Sequence, residues 1–499
     1  MRKQVVDALE HRASDRVPID FGGTNCSGIH ASCVEQLRAY YGLEKRPVKI
    51  YEPFQMLGLL EEDLKQAMGV DTEPVLGPYT VFGFPNEGWK EYRLDSGQEV
   101  LVSRHFNVTK DEKGDTYIYP RGDTTCEPSG HMPYGGYYFD AVERAEEVDD
   151  DELTVEDNLE EFTELTAKEL AFFTNEIRSA HATGRAVVAS FGGTGLGDIA
   201  FVPGPALKKP KGIRGIEEWY VSTVTRRDYL HELFERQTDI ALRNLKRLND
   251  AAGSLVDAAF VCGTDFGTQT GTFCSPETFK TLYMPYYKKV NGWIHANTPW
   301  KTFKHCCGAV ESFMELFIEA GFDIINPVQC SAMGMDPKLL KARYGSRLTF
   351  WGGGVDTQKT LPFGTKEQVR DEVLRRCEIF SKDGGFVFNA IHNIQAKTPV
   401  ENIVAMLDAV QQGLYDKAKK NLDENTYACS SLEEVKERMS TQGGFAKTMW
   451  CGDLECELKM KEEAGVTSRC MPLKQEAVGD TCVCCGKPAK HMIYWGVAY

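Results

Sequence analysis

The chain has 499 residues, more than one hydrophobic core usually organises, so a prior of ~100–200 residues per domain allows two or three units. Its 42% hydrophobic, 26% charged and 11% aromatic residues are those of a globular enzyme and exclude a disordered or fibrous chain. A formal charge of −16 argues against nucleic acid as a partner, because binding a polyanion depends on Lys and Arg releasing counterions from phosphates.

The opening stretch MRKQVVDALEHRASDR reads as a polar amphipathic helix rather than a signal peptide. No uncharged apolar run of about 18 residues follows, so no membrane association is expected and the protein is placed in the cytoplasm. A reducing cytosol does not maintain a disulfide framework, so the 16 cysteines are read as thiols and metal ligands.

Residues 92–215 hold a turn-rich aromatic patch (Tyr134, Tyr137, Tyr138, Phe139) and an acidic run at 146–152, and are read as an insertion around the first units of a larger domain. Residues 191–198, FGGTGLGD, look like a phosphate-binding loop. They fail the template, because Asp198 stands where a third glycine is needed and no Walker lysine follows, so a strand-end turn is expected.

From about residue 180, short β-branched or aromatic runs alternate with segments of helical period, the sign of βα units and a parallel sheet. The strand candidates are 185–191, 258–263, 301–305, 323–328, 348–351 and 386–391. Between them, Val310, Phe313, Met314 and Phe317 recur at helical spacing with Gly321 as a left-handed cap. Thr398, Pro399 and Glu401 form a capping box before the stripe Ile403, Met406, Leu407 and Val410, with Gly413 closing the helix.

This alternation suits an open doubly wound sheet as well as a barrel. Polar residues just past successive strands favour the barrel, where strand ends converge on one mouth: Asp265, His305 with Cys307, Asn326 with Gln329, Asp356 with Gln358, and His392. In Lys304-His305-Cys306-Cys307-Gly308, period-two geometry points His305 and Cys307 the same way and Cys306 the other. His392 follows a later strand, and three N/S ligands with an open position make a catalytic zinc site. A half-buried histidine beside a packed cysteine is the bland alternative.

After Gly413 the pattern changes, with Lys417-Ala-Lys-Lys420 as the start of a linker. Cys451, Cys456, Cys482 and Cys485, spaced C-x4-C-x25-C-x2-C, suit a closed tetrahedral zinc site that stabilises a small α+β domain.

Several motifs carry a resemblance. They are Asp15-Arg16-Val17-Pro18-Ile19-Asp20, Gly263-Thr264-Asp265-Phe266-Gly267, His305-x-Cys307-Gly308, Asn326-Pro327-Val328-Gln329, Gly352-Gly353-Gly354-Val355-Asp356-Thr357-Gln358 and His392-Asn-Ile-Gln before Thr398-Pro399. On these, residues 1–413 resemble the uroporphyrinogen decarboxylase superfamily, on its corrinoid-dependent methyltransferase branch. The resemblance implies a TIM (β/α)8 barrel whose zinc sits on His-x-Cys and a distant cysteine. Here His392 stands where that late cysteine aligns, so the implied catalytic zinc set is His305, Cys307 and His392. The arginine-bearing motif that holds carboxylates in the decarboxylases is absent after Pro18, where Asp20-Phe-Gly-Gly-Thr stands.

The expected function is a zinc-dependent methyltransferase of one-carbon metabolism. It moves a methyl group from a small methylated donor, preferably a methoxylated aromatic, to the Co(I) corrinoid of a separate protein, since no Asp-x-His-x-x-Gly cobalamin motif occurs. Asp265 is the candidate proton donor, and Gln329, Asp356 and Gln358 are candidate substrate-binding residues. The reverse transfer, from methylcorrinoid to a thiol or pterin, is the alternative.

Residues 424–499 are similar to the C-terminal zinc-binding domain of archaeal-type prolyl-tRNA synthetase, on Gly443-Gly-Phe, Trp450-Cys-Gly, Cys456-Glu, Cys485-Gly-Lys-Pro488 and the terminal Ala-Tyr499. No class II aminoacylation motif is seen upstream. A reused structural module, serving homodimerisation, pocket closure or corrinoid-protein docking, is therefore preferred to a tRNA- or synthetase-associated binding protein with an inactive barrel.

Overall fold

Each of the six strand candidates is a strand in the computed structural model, which describes residues 1–497 except 145 and 192–194, and over 413–418 the backbone alone. They are Ala186–Ser190, Ala258–Cys262, Lys301–His305, Ile324–Asn326, Thr349–Trp351 and Phe386–Val387, and Thr72–Val75 joins them as a seventh. All pair in parallel, each beside its predecessor in the chain. Residues 18–20 close the ring: Ile19 forms a parallel bridge to Phe388, while Asp71 N donates to Ile19 O at 2.8 Å. Eight parallel segments thus meet end to end, which removes the free edges of an open sheet and leaves a barrel.

Both faces of the sheet are covered, so a strand such as Ala258–Cys262 is apolar throughout, whereas Lys301–His305 carries two lysines. All three residues of Ile324–Asn326 and of Thr349–Trp351 are buried. Helix Arg2–Leu9 plugs the N-terminal end, its Val5, Ala8 and Leu9 packing with Ala186, Val188, Phe303, Ile324 and Trp351. Access to the interior is therefore from the opposite end, where the strands finish.

Two small sheets are added before the third barrel segment. One joins Val48–Glu52, Leu57–Gly58, Lys90–Arg93 and Glu99–Val102, the other Val108–Lys110, Thr116–Ile118, Gly130–Met132 and Asp140–Ala141. The stretch 92–215 is thus only partly insertion, since it also holds helix Ala167–Ala182 and barrel strand Ala186–Ser190. Of the glycine-rich stretch 191–198, residues 192–194 lie outside the described residues; beyond them Asp198 N donates to Gly195 O at 3.0 Å in a turn.

Val310, Phe313, Met314 and Phe317 are all buried, Val310 just before Glu311–Phe313 and the others on that turn and on Met314–Glu319, and Gly321 has the left-handed φ of 85° expected of a cap. The capping box at Thr398 does not form. Its hydroxyl donates instead to Gln395 O at 2.8 Å, and the helix starts at Val400 with no side-chain cap. Nor does Gly413 end that helix: a wide π turn, Ala409–Gly413, leads on into Leu414–Glu424.

The chain divides into two compact units, Met1–Gln411 and Gln412–Tyr499. The second has a four-stranded mixed sheet in the order Thr426–Ala428, Phe445–Trp450, His491–Val497, Val466–Cys470, with helices Leu432–Thr441 and Leu454–Ala464. Leu432, Val435, Ala446, Met460, Val466, Ile493 and Trp495 form its core. Among the described residues, no helix is long and apolar enough to cross a membrane.

Candidate metal centre at the barrel mouth

His305 is the last residue of its strand, so the alternation expected for His305, Cys306 and Cys307 is carried out in the loop beyond it. The division of faces still holds. Cys307 Sγ lies 3.4 Å from His305 Nε2, while Cys306 is fully buried and its Sγ accepts Phe266 N at 3.2 Å. Zinc–sulfur and zinc–nitrogen bonds of ~2.3 and ~2.05 Å at a tetrahedral angle put two such atoms about 3.5 Å apart, so this pair suits one ion. Nδ1 of His305 is 2.7 Å from Asn326 Oδ1, which fixes Nδ1 as the protonated nitrogen and leaves the Nε2 lone pair facing Cys307.

Two triads of donor atoms, each with all members within 4.8 Å of one another, share His305: Asp265, His305 and Cys307, and Cys26, His305 and His392. Cys307 and His392 therefore both reach the neighbourhood of His305 but belong to different triads. The His305 and His392 rings meet edge to face with centroids 5.6 Å apart. Burial lowers the proton affinity of both imidazoles, that of His392 to about 3 with the help of neighbouring His305. Neutral imidazoles are the ligating form. Burial and the nearby Asp265 charge push the Cys307 thiol well up, so binding an ion there would release a proton.

Asp265 Oδ1 accepts Cys307 N at 2.6 Å and so anchors the loop that carries Cys307. Beside it stands Asp198, which sequence reading noted only as a missing glycine. Its carboxylate lies against Gly263, where a Cβ would run into Oδ2, and burial pushes its carboxyl up to about 6. Beneath them the buried Lys304 donates to His305 O at 2.7 Å and to Thr264 O, fastening two strand ends together. Gln329 Oε1 accepts Gly308 N at 2.8 Å, and Asp356 Oδ1 accepts the N–H groups of Gln358 and Lys359 at 2.9 and 2.6 Å. Gln329 thus ties its loop to that of Cys307 and Gly308, and Asp356 shapes its own. The exposed Gln358 accepts Gln269 Nε2 at 3.4 Å.

Tyr220 stacks on Phe273 with centroids 4.7 Å apart, and its buried hydroxyl has no partner among the described residues. The aromatic patch of the insertion divides: Phe139 is core, against Phe82 and Phe106, whereas Tyr134 and Tyr137 line a small cavity with His30 and Met56.

In the second unit Cys451, Cys456, Cys482 and Cys485 form a further donor group. Cys451 Sγ is 3.7 Å from Cys456 Sγ and 3.8 Å from Cys485 Sγ. Tetrahedral zinc with bonds of ~2.3 Å separates its sulfurs by about 3.8 Å, so the knuckles are already at ligating distance. Burial opposes ionisation of Cys482, but N–H groups of Cys484, Cys485 and Cys451 outweigh it and hold the thiol at about 7.

Comparison with known proteins agrees with this division. The Uroporphyrinogen decarboxylase (URO-D) family profile matches residues 206–413, and that of Prolyl-tRNA synthetase, C-terminal, matches 432–499. The chain carries a URO-D domain and a prolyl-tRNA synthetase C-terminal domain. Similar curated proteins include Proline--tRNA ligase 2 of Bacillus thuringiensis (strain Al Hakam), 54% identical over 99 residues, which are 20% of this chain and 21% of that one. Proline--tRNA ligase of Clostridium novyi (strain NT) is 47% identical over 113 residues, 23% of each chain. The chain thus spans about a fifth of the length of the curated relatives it matches. Among solved structures, a methyltransferase from Methanosarcina mazei aligns over 83% of this chain and 98% of its own, at 15% identity and a TM-score of 0.47.

Sequence reading did not single out Cys26. Its signal was its place in the loop after the first barrel segment, just past the Asp20-Phe-Gly-Gly-Thr stretch. Asp198 gave no signal beyond a failed motif.

Proposed function

We propose that the barrel is a zinc-dependent methyltransferase that moves a methyl group from a small methylated donor to the Co(I) corrinoid of a separate protein, with a methoxylated aromatic as the preferred donor. The observation that carries this reading is the His305–Cys307 pair: two N/S donors at ligating distance, at a barrel mouth, with the histidine tautomer fixed by Asn326. His305, Cys307 and His392 would hold the ion. When bound, zinc would supply Lewis acidity to the heteroatom that bears the methyl group, whose departure as a basic anion otherwise makes the donor unreactive.

The chain's own groups do the rest. Asp265, anchored on Cys307 N, is placed to hand a proton to the leaving heteroatom, with Asp198 as a second carboxyl beside it. The Tyr220–Phe273 stack and its unpartnered hydroxyl offer a flat aromatic wall with a polar handle, which favours an aromatic donor. Exposed apolar side chains stand on three connections that follow barrel strands, two on loops and one at the end of the short helix Thr360–Phe363: Phe273 at 41%, Met333 at 62% and Phe363 at 85% exposure. Such a rim favours docking of another protein over the mouth.

Decarboxylation, the reaction in the family's name, is disfavoured by the segment after Pro18. Asp20 turns inward, its carboxylate accepting Trp351 Nε1 at 2.7 Å and Thr72 Oγ1 at 2.6 Å, and it presents no cation to a substrate carboxylate. The C-terminal domain is read as a reused zinc-stabilised module rather than a tRNA-binding one, in keeping with the net charge of −16.

The deciding experiment incubates the zinc-loaded protein with a reduced corrinoid protein and a panel of methoxylated aromatics, methylamines and methyl thioethers, and follows the cobalt spectrum. Conversion of Co(I) to methyl-Co(III) with one donor class is expected. No conversion with any donor, together with release of carbon dioxide from a carboxylated tetrapyrrole, would overturn the reading.

A further inference from the structure

The loop after the first barrel segment and the loop after the last are tied together residue by residue. Ile29 forms a parallel bridge to Ile394, with His30 N donating to Ile394 O at 2.9 Å and Ile394 N to Gly28 O at 3.0 Å. Between these bonds the Asn393 side chain spans both loops: Oδ1 accepts Gly28 N at 2.5 Å, and Nδ2 donates to Asn25 O and to Gln55 Oε1, each at 2.8 Å. The turn itself is fixed by Thr24, whose Oγ1 accepts Cys26 N at 3.1 Å. Gly28 permits the close approach, since a Cβ there would meet Leu57 Cδ1 at 2.6 Å.

One consequence is the position of the Cys26 thiol, whose Sγ lies within 4.8 Å of ligand nitrogens on both His305 and His392. The side chain is half-buried in a polar loop, not packed in the apolar core.

We propose that Cys26 is a direct ligand of the barrel ion, forming with His305 and His392 one triad of donors around it. This rests on reading the cluster as a metal centre, and the test separates the two ideas.

The full-length chain is loaded with Co(II) in place of zinc, and metal content, affinity and thiolate-to-cobalt charge-transfer absorption are measured for the unmodified chain, Cys26→Ser, Cys26→His, Cys307→Ser and His305→Ala. The four-cysteine module contributes a constant background, so differences report the barrel. Cys26→Ser should lose the absorption of one thiolate and bind the barrel ion about tenfold or more weakly, since even groups behind the ligands are worth that much. Cys26→His should recover affinity without recovering the lost absorption, a pattern that mere loop packing would not give. It also decides the matter should the serine variant fail to fold. If Cys307→Ser and His305→Ala lose the barrel cobalt while both Cys26 variants keep full absorption and affinity, Cys26 is no ligand and the metal centre stands without it. If none of the four variants changes barrel cobalt, the metal centre itself is wrong.

Discussion

Asn326 accepts the Nδ1 proton of His305 at 2.7 Å while donating its own amide to Trp351 O at 2.9 Å, so one buried side chain ties His305 to the neighbouring strand. That arrangement selects the tautomer and the ring plane before any ion arrives. Asn326→Ala should therefore leave the ligands in place yet weaken barrel zinc by about 10–100-fold, the usual effect of removing a group behind a metal-bound imidazole. Competition with a chromogenic chelator measures this, and unchanged affinity would show that Asn326 serves packing alone.

The ligands themselves should be less forgiving. His305→Ala and Cys307→Ser are each expected to abolish methyl transfer with the fold intact, because the Lewis acid is worth several kcal/mol at the transition state. Cys306→Ser should change the rate by no more than about threefold, since its sulfur bonds only to backbone groups, accepting Phe266 N and donating to Cys307 O, and a hydroxyl can do both. His392→Cys should retain barrel zinc, a thiolate being as good a ligand as an imidazole. Zinc retention and normal cobalt methylation in His305→Ala and Cys307→Ser would refute the site.

The pattern of what was legible in the sequence follows from the range of the signal. The strand at 258–263 stood out because a parallel strand buried on both faces is an unbroken apolar run, and His305-x-Cys307 because its members are neighbours in the chain. Thr72–Val75, with Glu and Pro at its centre, has no such run, and residues 18–20 form a barrel segment only through pairing with Phe388 and Asp71. Cys26 and His392 are brought together by that same long-range pairing, which no local pattern encodes. Thr398 shows the converse, a complete capping motif whose hydroxyl is taken by Gln395 O.

Two zinc ions per chain are expected, and they should respond differently to chelation. The four cysteines of the C-terminal knuckles form a closed set on a small domain, so Cys451→Ser should remove one zinc and melt the C-terminal unit while barrel zinc stays. Metal analysis with a far-ultraviolet melt of the variant tests this. A single zinc per unmodified chain, after reconstitution with excess metal, would leave one of the two sites without support.

Glu52 gives a prediction in pH. The side chain is buried, and desolvation pushes its carboxyl up to about 7 even though Phe54 and Gln55 donate their N–H groups to it. A folded pKa above the unfolded value of about 4.5 means that the folded state holds the proton more tightly, so stability is greatest below about pH 4.5 and falls as pH rises to about 7, levelling off beyond. The full difference is of the order of 3 kcal/mol. Glu52→Gln removes the titrating group, at the cost of one accepted N–H bond that does not vary with pH. The expected result is that the melting temperature of the variant, relative to the unmodified chain, climbs steadily between pH 5 and 7.5. Urea unfolding at the same pH values should show the same trend in free energy. Parallel curves for the two proteins across that range would mean that Glu52 is already ionised in the folded state and that its two backbone donors, not burial, govern it.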